Sequence, residues 1–165
     1  MFKKINWKYT FISAFIAAFL FCICAFIFIN KADYTVSWIL YLGSVMFFFT
    51  MAITTVKENR KRGGDESTVS LVFASLVTTF VGIIISVITC FILLMIMDKG
   101  FIFPGTATKV LQEAPPASIQ GKTGGLAFKV FFAATVLCLF GGSIASVTLP
   151  FYTKRNQTKQ SEPHG

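Results

Sequence analysis

The chain has 165 residues, of which 55% are apolar and only 13% charged, and its mean hydropathy is +0.71. That composition excludes an ordinary water-soluble domain, in which about 25% of residues are charged, and it points to lipid as the solvent. The net charge of +8 does not mark a nucleic-acid binder, because the basic residues sit in short clusters at the ends of apolar runs rather than along one face.

The first such cluster is Lys3, Lys4 and Lys8, and an uncharged run over residues 9–29 follows. About 20 residues suffice to cross hydrocarbon, so the run is expected to be the first transmembrane helix. A cleaved signal peptide shares the basic start, but the run is too long for its apolar region and no small-x-small cleavage site follows. Six residues, NKADYT, then lead into a second span over 36–56. So short a connection forces the second helix to return antiparallel beside the first. Trp7 and Tyr9 on the first span, and Tyr34, Trp38 and Tyr41 on the second, are placed as headgroup anchors.

The densest polar stretch is KENRKRGGDE, from Lys57 to Glu66. It is read as a loop that orients the chain. Lys57, Arg60, Lys61 and Arg62 would follow one helix end, Gly63 and Gly64 would allow a turn, and Asp65, Glu66 and Ser67 would cap the next helix. These four basic side chains also offer contacts to anionic lipid, each worth about 1 kcal/mol at a charged surface.

The third span, 69–97, carries a stripe of small residues at alternating steps of four and three: Ser75, Thr79, Gly82, Ser86 and Thr89. The fourth, 126–152, repeats it with Ala134, Cys138, Gly141, Ala145 and Thr148, and with Gly142 and Ser143 alongside. Small residues let helices approach closely where lipid removes any hydrophobic drive between them. The two stripes therefore predict a packing seam between the third and fourth helices. Between these spans, residues 98–125 carry Pro104, Pro115, Pro116 and several glycines, too interrupted to span. Phe101, Ile102 and Phe103 are expected near the interface, and Thr106 to Glu113 have the composition for one or two helical turns. Residues 153–165 read as a polar, disordered tail.

The expected fold class is thus an all-α integral membrane protein, a single antiparallel up-down bundle of four transmembrane helices. Lys3, Lys4, Lys8, Lys57, Arg60, Lys61, Arg62, Lys154, Arg155 and Lys159 fall on one side, against Lys31, Lys99, Lys109 and Lys122 on the other. That bias predicts cytoplasmic termini. Lys129 is close enough to the start of the fourth span to snorkel outward.

Chemistry is harder to find. No ionisable residue is expected deep in a span, which removes the usual mark of an ion path or substrate site. Cys22, Cys24, Cys90 and Cys138 form no CxxC pair and have no histidine nearby, and His164 lies one residue from the end. No catalytic set, metal site or cofactor site can be assembled, so neither enzymatic activity nor a cofactor is expected. The expected role is binding through helix contacts, as an accessory subunit of a larger membrane complex or as a self-associating module. The alternative is an oligomeric permease or channel whose path is lined by Thr78, Thr79, Ser86 and Thr89, since hydroxyls alone can line a path.

The middle of the chain resembles an uncharacterised family of small four-span bacterial inner-membrane proteins, catalogued as a domain of unknown function. The resemblance lies in VKENRKRGG after the second span, in Ser70 and Ala74 opening STVSLVFASLVTTFVGIIISVI, and in the closing Asp98 with Pro104. It implies a four-span plan in a bacterial inner membrane and carries no catalytic residues.

Overall fold

The computed structural model describes residues 7–62, 68–102, 109, 111–113 and 124–160. The first helix, α1 (Trp7–Lys31), has neither proline nor glycine and no charge between Lys8 and Lys31. As a helix it satisfies its backbone within the segment, which is what a crossing of hydrocarbon requires. It stops at Ala32, whose positive φ of 48° is the left-handed conformation that ends helices. The Ala32 N–H still donates to the Phe28 carbonyl at 2.9 Å. Asp33 then accepts from the Thr35 N–H at 2.9 Å and opens a 3-10 turn, Tyr34–Ser37, that feeds directly into α2 (Trp38–Arg62).

The helix α3 (Thr68–Met97) is the longest, and Asp98 ends it by capping a second 3-10 turn, Lys99–Phe101. The last span has three parts in one continuous helix: α4 (Gly124–Phe132), a π-helical turn (Ala133–Leu137) and α5 (Cys138–Gln160), which contains Pro150. Four helices are long and apolar enough to cross a membrane, and no strand occurs among the described residues.

Neighbour relations define the bundle. α1 packs along α2 and along α3, and α5 packs along the same two helices from the other side. α2 and α3 meet only thinly across the centre. Going round the bundle, the order is therefore α1, α2, α5, α3. Tyr9 of α1 and Lys57 of α2 line one cavity, while Phe101 stacks near Phe131 of α4 at 6.4 Å. These contacts put the start of α1, the end of α2, the start of α3 and the end of α5 at one end, here the basic end. The opposite end holds Asp33, Asp98 and residues 111–113, here the loop end.

Residue size, rather than polarity, separates inside from outside. On α1, Ala14, Ala17, Ala18 and Ala25 are buried, whereas Phe11, Phe15, Phe19 and Phe26 point outward. A soluble helix would bury the large rings and expose the small or polar residues. Here the outward face can stay greasy, and the inward face must be slim so that backbones come close. Phe21, Phe28 and Phe47 fill the centre and are fully buried.

Several boundaries differ from the sequence reading. α2 continues through Arg62, so Lys57, Arg60, Lys61 and Arg62 form its final turns rather than a loop; residues 63–67 lie outside the described residues. α5 continues past Tyr152 to Gln160, through residues expected to be a disordered tail. Nothing in polar composition forbids a helix that has already nucleated from growing into water, since each added residue adds a hydrogen bond. In the connection to α4, the described residues of the Thr106 to Glu113 segment form no helical turn. Instead Gln112 makes an isolated parallel bridge with Asp33. Phe103, Pro104, Pro115 and Pro116 lie outside the described residues.

Candidate functional site

The small-residue stripe of α3 is buried over Ser75, Thr79, Gly82 and Ser86, and half-buried at Thr89. It serves two neighbours rather than one. Thr79 meets α5: its Oγ1 lies 3.0 Å from Ser146 Oγ, a hydrogen bond that joins the two helices. A Cβ built on Gly142 would fall 2.3 Å from Thr79 Cγ2, so α3 and α5 touch there because residue 142 has no side chain. Gly82, by contrast, faces α2 across the centre, where an added Cβ would come within 2.9 Å of Met51 Cε and 3.0 Å of Phe47 Cζ.

On the fourth span Ala134, Cys138 and Ala145 are buried. Gly141 is half-buried and faces Phe48 of α2, and Thr148 is exposed with its hydroxyl donating to the Ile144 carbonyl at 2.6 Å. The contact line of α5 thus runs through Cys138, Gly142, Ala145 and Ser146. Successive helical residues are about 100° apart, so Gly142 stands one such step from Gly141. The π turn over Ala133–Leu137 adds to the offset, because its wider coil breaks the regular spacing that a four-three pattern assumes.

Ser146, Gly43 and the alanines of α1 are interface residues that the stripe search did not single out. Gly43 admits the α1 backbone: a Cβ there would sit 2.9 Å from Cys24 Cβ. The signal on α1 was present as Ala14 and Ala18, a small-xxx-small step, but it was masked by the phenylalanines around it.

Thr10 Oγ1 of α1 is buried without a hydrogen-bond partner among the described residues, whereas other buried hydroxyls are occupied within the bundle. Thr78 donates to the Ala74 carbonyl at 3.0 Å, Ser86 to Gly82 at 2.9 Å, Thr89 to Ile85 at 2.8 Å and Ser44 to Leu40 at 3.1 Å. Such back-bonding to the preceding turn satisfies a hydroxyl without a partner helix or water. The thiols gather near the same level. Cys138 Sγ lies 4.0 Å from Ser44 Oγ. All four cysteines are free and buried. No group of three His, Cys, Asp or Glu side chains with metal-holding geometry occurs among the described residues.

No family model, no curated protein and no solved structure matches this chain.

The two ends differ in how they treat charge. At the basic end Lys57 and Arg60 are exposed; the side chains of Lys61 and Arg62 lie outside the described residues. Glu58 is buried there, beside Tyr9 of α1. At the loop end Asp98 is buried and accepts from the backbone N–H groups of Gly100 and Lys109, each at 3.2 Å. Lys109 Nζ reaches the Ile29 carbonyl at 3.4 Å. The Gln112 N–H donates to the Ala32 carbonyl at 2.8 Å, and the Tyr34 N–H donates to the Gln112 carbonyl at 3.0 Å. Leu111 is driven into the core between these bonds. Residues 109 and 111–113 of the long connection are thus tied across the end of α1. Sequence reading identified Asp98 as a helix terminus but had no means of pairing Gln112 with a turn some eighty positions earlier.

Proposed function

We propose that this is a non-enzymatic multi-pass protein of a bacterial inner membrane, with both termini cytoplasmic, that acts by binding. It serves as an accessory subunit of a larger membrane complex or as a self-associating module. The observation that carries this reading is the set of buried, internally bonded hydroxyls and small-residue contacts that use up the interior of the bundle, leaving its large apolar side chains on the flanks. Orientation follows from the basic end, which collects most of the Lys and Arg residues.

The small-residue seams of α3 and α5 hold the bundle itself, so partner contacts fall to the outward faces. Chief among these is the Phe and Ile wall of α1, with Phe11, Phe15, Phe19, Ile23 and Phe26 exposed. Against the permease alternative stands the state of its lining: Thr78, Thr79 and Ser86 are each buried and hydrogen-bonded within the bundle.

Purification in mild detergent followed by native mass measurement tests the reading. A stable complex with another membrane protein, or a defined oligomer, is the expected outcome. A monomer with no partner, together with solute flux in proteoliposomes, would overturn it in favour of transport.

A further inference from the structure

The flank between α2 and the last span is open towards the loop end. Two adjoining depressions lie there. The larger, about 330 Å³, is lined by Tyr41, Ser44, Phe48, Phe140, Gly141 and Ile144, almost wholly with carbon. The smaller, about 20 Å³, is shaped by Ser37, Leu40, Phe132 and Ala133 and by the side chain of Lys129. Tyr41 and Leu137 line both, so the two form one groove that runs along the π turn towards the loop end. Gly141 makes the depth, since its missing side chain leaves Phe48 as the floor.

The cation at the head of this groove is held in place. Lys129 Nζ sits 3.7 Å from the centre of the Tyr34 ring, a cation–π contact. No carboxylate pairs with Lys129 among the described residues. Its level along the bundle is that of Tyr34, Trp38 and Tyr41, rings of the kind that gather at the headgroup boundary. A half-buried ammonium at headgroup depth, above an apolar channel that descends from it, is complementary to an anion with a hydrocarbon tail.

We propose that this groove binds one anionic phospholipid, with an acyl chain along Tyr41, Phe48, Gly141 and Ile144 and the phosphate at Lys129. The ammonium at the head of the groove favours a lipid over an apolar transmembrane helix, which offers no anion to meet Lys129. The site is distinct from the basic end and does not depend on a protein partner.

The test is lipid retention, measured by native mass spectrometry on the full chain in mild detergent. Phosphatidylglycerol and phosphatidylcholine of identical acyl chains are each titrated against it. One phosphatidylglycerol per chain should be retained, with about fivefold preference over phosphatidylcholine, the factor that a single lysine near an anionic surface supplies. Lys129→Gln should remove the preference while leaving thermal stability unchanged. Gly141→Leu, which fills the groove, should lower retention of both lipids. Should that variant fail to fold, Ile144→Trp on the exposed rim tests the same point. Equal retention of the two lipids by the natural protein overturns the proposal, as does an undiminished preference in Lys129→Gln. A second copy of the chain that displaces the lipid assigns the groove to self-association and overturns it equally.

Discussion

The α1 flank and the α2/α5 flank of the bundle are built on opposite plans. Where α1 meets its neighbours, alanines and Gly43 bring the backbones together and Phe21 and Phe28 fill the centre, with a depression left towards the basic end beside Tyr9 and Lys57. Where α2 meets α5, Gly141 leaves a groove, the π turn widens the helix above it, and Lys129 stands at the head. One flank uses its small residues to close a gap; the other uses one to keep a gap open. The same residue type therefore has opposite effects, and the outcome depends on whether a neighbouring side chain is aimed at it.

The strongest way to break this contrast is Phe28→Ala on the closed flank. It should cost about 3 kcal/mol, the low end of the range for buried Phe→Ala, because in lipid the cavity is lost packing without the full transfer from water. Thermal unfolding in detergent would register it, and an unchanged midpoint would contradict the packing described here. Next comes Gly142→Ala at the α3/α5 contact, expected to cost about 1–3 kcal/mol by overpacking against Thr79. Because the clash is with Thr79 Cγ2 at 2.3 Å while Oγ1 is at 3.1 Å, adding Thr79→Ser should restore most of the loss and keep the bond to Ser146. A double variant no better than the single one would show that the clash lies elsewhere.

Thr79→Val should cost less, about 0.6 kcal/mol, the mean for a hydrogen bond between membrane helices. Smallest of all is Gly141→Ala, expected within about 0.5 kcal/mol, since the new methyl meets Phe48 no closer than 3.3 Å and otherwise enters the groove. A large penalty there would mean that the flank is as tightly packed as the other. Gly82→Ala sharpens the ranking, because the nearest obstacle is Met51 Cε at 2.9 Å, the free end of a flexible side chain that can move aside. Its cost should fall between those of Gly142→Ala and Gly141→Ala.

These predictions also mark what periodicity can and cannot carry. The stripe Ser75, Thr79, Gly82 and Ser86 was legible because a run of small residues on one helical face has few causes other than close approach. Its partner was not, because a stripe states that something comes near without stating what. Thus Thr79 found Ser146 of α5, while Gly82 found Met51 and Phe47 of α2. On the last span the local coil geometry intervened as well, and a regular count through Ala133–Leu137 lost its register. The buried Asp98 looked like a helix end and is one, yet its second role, holding the Lys109 backbone, depends on a chain return that no local pattern encodes.

The sequence by itself determined that there are four helices long and apolar enough to cross a membrane, because each apolar run exceeds the roughly 20 residues that a crossing needs. It also determined which end collects the basic residues, since all of the lysines and arginines except Lys129 lie at or beyond the ends of the apolar runs. Only the tertiary structure decided the neighbour order α1, α2, α5, α3 and the contrast between a closed flank and an open one. The physical reason is that, among apolar helices in an apolar solvent, polarity no longer distinguishes partners. What remains is the fit of side-chain volumes across each contact, and that is a property of pairs of helices, not of any one stretch of chain.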